Sequence, residues 1–263
     1  MAANDAATTS TAVIYRPIRA DDLDAIVEAF HRTWGVDEPD GPAITRLTSR
    51  HFVLHYLEPA TRGEIAETPD GAFMGVTLVR IAGEPALFPW VGGELARVNA
   101  ELDATAAGAD ALVRTEAWHA LEERMEDDIA INDRARAEVE LFLVDAAARG
   151  HGVGGTLWRH MLDAFARAGV NRYYLHTDSS CDVGFYDHKG LARVAERYAK
   201  DHPGEHVGDG EDIFIYEGGV EPAFVDGRTG TGIYEGDVEP TSVDERTGEG
   251  SHGNGIEAEE ARA

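Results

Sequence analysis

Apolar positions recur first at strand spacing and then at helix spacing. VIYRPIR (13–19) reads as a strand, and Ala20-Asp21-Asp22 opens a helix whose acidic first turn suits the helix dipole. Leu23, Ile26, Val27 and Phe30 form its apolar face, which stops near Trp34-Gly35. A proline-rich loop (36–42) leads to a second helix over 43–58, marked by Ile44, Leu47, Phe52, Leu54 and Leu57. GEIAE (63–67) and AFMGVTLVRI (72–81), joined at Pro69-Asp70-Gly71, predict a β-hairpin. Between Pro85 and about Arg136 the texture changes: Leu95, Val98 and Leu102, then Trp118, Leu121, Met125 and Ile129, predict a helical insert.

EVELFLV (138–144) resumes the sheet, and TLWRHMLDAFARAG (156–169) is an amphipathic helix. RYYLHTD (172–178) is a strand, CDVGFYDHKG (181–190) a short helix, and ARVAERYA (192–199) and DIFIYE (212–217) the closing strands. The order β-α-α-β-β-insert-β-α-β-α-β-β predicts one mixed α/β (α+β) domain over 12–217, with the insert at 85–136. Residues 1–11 are small and polar and read as disordered. IYEGGVEPAFVDGRTGTG (215–232) and IYEGDVEPTSVDERTGEG (233–250) agree at 13 of 18 positions. A Gly/Glu/Thr-rich unit in only two copies offers little to bury. Residues 218–263 therefore read as an acidic, disordered tail carrying a tandem duplication.

Charge narrows the function classes. Asp and Glu number 49 against 23 Lys and Arg, a formal net charge of −26, and the only lysines are Lys189 and Lys200. Such a surface repels nucleic acid and anionic lipid, which argues against both as partners. The composition resembles that of halophilic proteins, in which concentrated salt screens self-repulsion. The single cysteine, Cys181, excludes an intrachain disulfide and a cysteine-based zinc cluster. MAANDAATTSTA is no signal peptide and no apolar run spans a bilayer, so a soluble, cytoplasmic protein is expected.

Candidate chemistry centres on RGHGVGG (149–155), which follows a strand and opens a helix. Four glycines in six positions cost backbone entropy, so a bare main chain is needed there, as in a phosphate cradle. A P-loop is excluded, because Thr156 follows Gly155 without a lysine. Gly150-x-Gly152-x-x-Gly155 is also a literal GxGxxG, with Asp178 23 residues beyond Gly155, the pattern of an NAD(P)-binding oxidoreductase. Asp145-Ala-Ala-Ala-Arg149 intervenes between strand and glycines, and too few βα units follow.

Read with its arginine, the stretch is Arg-x-x-Gly-x-Gly (Arg149, Gly152, Gly154) and resembles motif A of the GNAT superfamily of acetyl-CoA-dependent acetyltransferases. About thirty residues on, GFYDHKGL (184–191) is similar to the family's F-Y-x-x-x-G-F segment, and YRPIRADDLDAI (15–26) to its opening strand and helix. The resemblance covers roughly 13–217 without the insert. It implies the GNAT fold, acetyl-CoA as co-substrate, an amine as acceptor, and no metal. It makes Arg149, Gly150, His151, Gly152, Val153, Gly154 and Gly155 the pyrophosphate grip. Main-chain groups of Leu143 and Val144 then meet the pantetheine arm in a gap between the fourth and fifth strands, with Phe185 and Ser179 flanking the cofactor. Ser179 stands where many members carry asparagine.

Tyr186 matches the family tyrosine near the sulfur, a general acid for the thiolate; alternatively it is a helix aromatic with a bonded hydroxyl. Glu138 stands where some members carry a basic glutamate, and Glu140 shares its face. Two adjacent carboxylates raise each other's pKa, or both are simply the solvated edge of an acidic protein. Cys181 with His176 is a weaker nucleophile reading. His51/His55 and His202/His206 have i, i+4 spacing but no evident third ligand, so both pairs read as packing or surface residues. The insert reads as an acceptor-specificity element or as a homodimerisation arm. A non-catalytic acyl-CoA-binding module remains the alternative from another class.

Overall fold

The computed structural model describes residues 12–35, 41–203 and 210–221. Residues 1–11, most of the proline-rich loop, His206 and nearly all of the repeat-bearing tail lie outside the described residues. The strands are β1 (Ile14–Pro17), β2 (Arg62–Glu67), β3 (Phe73–Ile81), β4 (Ala137–Val144), β5 (Arg172–Asp178), β6 (Ala192–Arg197) and β7 (Ile213–Gly219). The helices are α1 (Leu23–Trp34), α2 (Pro42–Leu57), α3 (Val91–Asp103), α4 (Ala106–Ile129), α5 (Val153–Arg167) and α6 (Val183–His188). The insert is thus a pair of helices, α3 and α4. The first copy of the repeat begins inside β7, where Ile215 and Tyr216 are wholly buried, so its opening residues belong to the sheet.

The strands form one sheet in the order β1-β2-β3-β4-β5-β7-β6. Every neighbouring pair runs antiparallel except β4 and β5. A single parallel pair overturns the NAD(P) alternative, because a dinucleotide fold needs a doubly wound parallel sheet. Asp178 instead accepts the Ser180 N–H and closes a local turn.

Helices α1, α2 and α3 cover one face through Ile26, Phe30, Leu54 and Val98, against Val76, Leu78, Leu141 and Leu143. Helix α5 covers the other through Trp158, Met161 and Phe165, against Val79, Ile81, Val139 and Leu175. On β4, Val139 and Leu141 therefore face opposite sides, although strict alternation would put them together. The cause is a bulge: Leu78 pairs with Leu141 and Val79 with Val139, which leaves Glu140 as the extra residue. A one-residue slip reverses every later side chain.

Parallel pairing of β4 with β5 covers only Ala137↔Tyr173, Glu138↔Tyr174 and Val139↔Leu175. Beyond the bulge the two strands part, and β5 continues on β7 to Asp178. The bulge and the parting occupy the same position.

Candidate active site

A cavity of about 830 Å³ opens where the strands part. Its wall includes Trp34 of α1, Phe52 of α2, Trp118 and Glu122 of α4, Glu138 and Glu140 of β4, His176 of β5 and Tyr186 of α6. Helix α4 of the insert therefore faces the parted strands.

On the floor, sheet register aligns Arg80, Glu138 and Tyr174 across three strands. Arg80 donates through Nη2 to Glu138, and also to the Tyr174 hydroxyl at 2.8 Å. Its Nε donates to Glu140 Oε1 at 3.0 Å, and the Tyr174 hydroxyl donates to Glu138 Oε2 at 3.0 Å. The other oxygen of Glu138 lies 3.3 Å from His176 Nδ1, while His176 Nε2 lies 3.5 Å from Glu126. Both glutamates are enclosed, with 9% and 7% of their side chains exposed, so they are not the solvated edge of an acidic surface.

These contacts separate groups that the sequence treats alike. Burial opposes the charge of Glu138, but the His176 hydrogen bond and charge, with Arg80, hold its carboxyl at about 2. Burial, then the charge of Glu138, pushes Glu140 up. The mutual rise expected for the pair therefore appears in Glu140 only. Burial also opposes charge on His176, yet Glu138, Glu122 and Glu126 raise it to about 9, so the ring is an imidazolium at neutral pH. Burial pushes Glu122 up to about 7. Glu126, Glu138 and His176 also bring one ligating atom each within 4.8 Å, a cation-sized grouping in which Arg80 and Tyr174 already engage Glu138.

The glycine loop begins at the end of β4. Asp145 accepts from Arg32 of α1 at 2.6 Å and from the Ala147 N–H at 2.9 Å, which fixes the chain's exit from the strand. A short 3-10 turn, Ala146–Ala148, fills the stretch before the glycines. Gly150 (φ +80°) and Gly152 (φ +72°) are left-handed, a conformation that requires glycine here. Gly152 caps α5, so the first N–H groups of that helix, at Val153, Gly154 and Gly155, lack i−4 carbonyls and point outward. A Cβ at Gly154 would stand 3.3 Å from Val144 Cγ2, against the end of β4. Arg149 and His151 are exposed, with His151 Nδ1 3.1 Å from the Arg149 carbonyl oxygen. Bare donors, a helix N-terminus and an adjacent arginine form a seat for an anion.

Leu143 and Val144 pair with Val76 and Gly75 of β3, and their stretch of β4 has no partner on the β5 side. Phe185 stacks on Phe142 at 5.4 Å and meets Trp158 edge-on at 5.4 Å. Tyr186 packs 6.0 Å from Trp158 and 5.5 Å from Tyr216, and burial holds its hydroxyl well above the usual range. Ser179 accepts the Asp212 N–H at 3.0 Å, leaving its O–H to donate. Burial and then Asp178 push the Cys181 thiol up, and His176 is occupied by glutamates, so the nucleophile reading has no activated thiolate.

Sequence reasoning missed Arg80, Glu122 and Glu126, and gave His176 the wrong neighbour. It also left the His51/His55 pair without a third member, which α4 supplies. The His55 and His119 rings stack at 3.5 Å and 3°, with His51 5.5 Å from His119 and its Nδ1 2.6 Å from Asn99 Oδ1. Burial lowers all three, His55 to about 4 and His119 to about 2. Folded pKa values below the unfolded 6.5 mean that the neutral stack stabilises above pH 6.5 and loses that contribution as pH falls toward 4. Between pH 7 and 5 the loss is of order 1–2 kcal/mol for each of His55 and His119. The melting temperature of His119→Phe should therefore fall less over that interval than the parent's. This difference isolates the stack from Glu122, whose raised pKa acts in the opposite sense. Equal falls in the two proteins would remove the stack as the cause.

Residues 115–192 match the model of the Acetyltransferase (GNAT) family. The match is narrower than the sequence resemblance and begins inside α4, within the insert. No curated protein matches the sequence. Among solved structures, arylalkylamine N-acetyltransferase 2 from Aedes aegypti is similar at 17% identity, covering 80% of this chain and 99% of that one, with a TM-score of 0.53. An apo form of an agmatine N-acetyltransferase mutant is similar at 12% identity, covering 79% and 99%, with a TM-score of 0.52. At such identities the likeness is one of fold, and the fold is that of GNAT acyltransferases. No described helix is long and apolar enough to cross a membrane. The chain therefore has the fold of GNAT acyltransferases, and its segment 115–192 matches that family's model.

Proposed function

We propose that this protein is an N-acetyltransferase that moves acetyl from acetyl-CoA to an amine by direct attack in a ternary complex. One observation carries the reading: β4 and β5 part beside the glycine loop, so a thioester arm and a pyrophosphate seat share one end of the sheet. In this reading RGHGVGG grips the pyrophosphate, and the free edge of β4 at Leu143 and Val144 meets the pantetheine amides. Ser179 and Phe185 border the same end.

The amine nitrogen bonds to the thioester carbonyl carbon, the C–S bond breaks, and the thiolate takes a proton. Tyr186 serves as that donor, since burial keeps its hydroxyl protonated at neutral pH. Glu138 is committed to Arg80, Tyr174 and His176, which suits it to positioning rather than proton uptake. Glu140, pushed up by burial and by the charge of Glu138, is the strand glutamate whose carboxyl gains proton affinity. Helix α4 forms the acceptor wall, which supports the insert as the specificity element.

Calorimetric titration with CoA and with NADP⁺ examines the donor. CoA is expected to saturate one site and NADP⁺ to give no saturable heat; saturable NADP⁺ binding without CoA binding ends this reading. The net charge of −26 supports adaptation to concentrated salt and a halophilic origin. An anion approaching a polyanion should bind better as KCl rises from low values, until the Arg149 contact is itself screened. Monotonic weakening from low salt upward counts against the charge argument.

A further inference from the structure

Of the α4 residues that line the cavity, Ala111, Thr115, Trp118, Glu122 and Glu126 form one helical stripe, with Arg114, His119 and Glu123 beside it. The inward stripe of a packed helix is normally apolar, yet two of these five are glutamates. Burying a carboxylate without a paired cation costs several kcal/mol, so such placement marks a functional demand. The cavity wall carries Glu122, Glu123, Glu126, Glu138, Glu140 and Asp178 against Arg80, Arg114 and the His176 imidazolium, so carboxylates outnumber cations there. Thr177 in the same wall is 7% exposed, and its hydroxyl has no hydrogen-bond partner among the described residues. One turn from Glu122, Trp118 joins Trp34 and Phe52 in an aromatic wall.

From this juxtaposition, and resting on the acetyl-transfer reading, we infer that the acceptor is a primary amine on an aromatic body without a carboxylate, its ammonium received by Glu122. The ring lies against Trp118, Trp34 and Phe52, where rings gain both burial and edge contacts. A carboxylate on the acceptor would enter among four glutamates and be repelled. The ammonium arrives with one proton more than the neutral nucleophile. Glu122 takes that proton and passes it to solvent, and the proton lost during attack replaces the one that Tyr186 gives to the departing thiolate. The balance is ammonium plus acetyl-CoA giving amide, CoA and one free proton. Glu122, pushed up to about 7 by burial, can exchange its own proton for the incoming cation near neutrality.

Calorimetry with the full chain and no CoA, using 2-phenylethylamine, L-phenylalanine, butylamine and putrescine, tests this separately from the donor. The expected order places 2-phenylethylamine first, about tenfold ahead of butylamine and about a hundredfold ahead of L-phenylalanine. Glu122→Gln should weaken 2-phenylethylamine binding about tenfold or more, and Glu122→Asp should recover part of the loss. Binding of L-phenylalanine or putrescine as tight as 2-phenylethylamine overturns the substrate class. Unchanged binding in Glu122→Gln, with the melting temperature retained, overturns the residue. Amine binding that follows this order while CoA fails to bind leaves this inference standing and sinks the acetyl-transfer reading instead.

Discussion

Glu138→Ala is expected to lower the unfolding free energy by about 3–5 kcal/mol, the usual result of removing one partner from a buried charge network. The loss goes beyond the removed carboxylate. Arg80 and the His176 imidazolium would both remain enclosed without their shared counter-charge, and the Tyr174 hydroxyl would keep only Asn132 as acceptor. The neighbouring glutamate should behave in the opposite way. Burial and the charge of Glu138 both oppose charge on Glu140, and a glutamine oxygen can still accept from Arg80 Nε, so Glu140→Gln should be close to neutral or mildly stabilising at pH 8. Urea denaturation of the three proteins at that pH decides it; comparable losses in both variants would show that the two positions are energetically alike. The acid side adds a check. A carboxyl held at about 2, below its ordinary 4.5, stabilises above pH 4.5 and loses that contribution as pH falls toward 2. Glu138→Ala should therefore converge on the parent protein only once pH falls below about 2.

Tyr186→Phe is expected to cut kcat by about a hundredfold, the lower end of what a positioned acid contributes. The phenylalanine ring keeps the contacts with Trp158 and Tyr216, so stability and CoA affinity should stay close to those of the parent. Only the proton donor is lost. Steady-state rates of thiol release, read beside a CoA titration of the variant, separate chemistry from binding. A kcat within threefold of the parent would return Tyr186 to the role of a packed helix aromatic.

Sequence periodicity located every strand and long helix, because each buries one apolar face whose spacing is local information. Trp158, Met161 and Phe165 announce α5 in this way, and Ile26 and Phe30 announce α1. The donor side was legible too: RGHGVGG is contiguous, and its left-handed glycines are written into the residue types. The acceptor side was not, because it is assembled from segments far apart in the chain. Arg80 meets Glu138 across 58 residues, and Tyr174 meets it across 36. The pairing of Glu138 with Glu140 was visible, but their divergence depends on which one His176 touches. Helix α4 did leave one trace, since Glu122 follows Trp118 on a face where the seam calls for another apolar residue.

The bulge at Glu140 splits β4 into two half-strands whose odd-numbered residues face opposite layers, Val139 toward α5 and Leu141 and Leu143 toward α1 and α2. Its residue count is therefore a fixed quantity. Deleting a single residue from β4 would turn Leu141 and Leu143 toward the wrong layer and carry the glycine loop with them. Change in this lineage should accordingly collect in the insert, where α4 can alter the acceptor wall while the strand that presents the donor keeps its length.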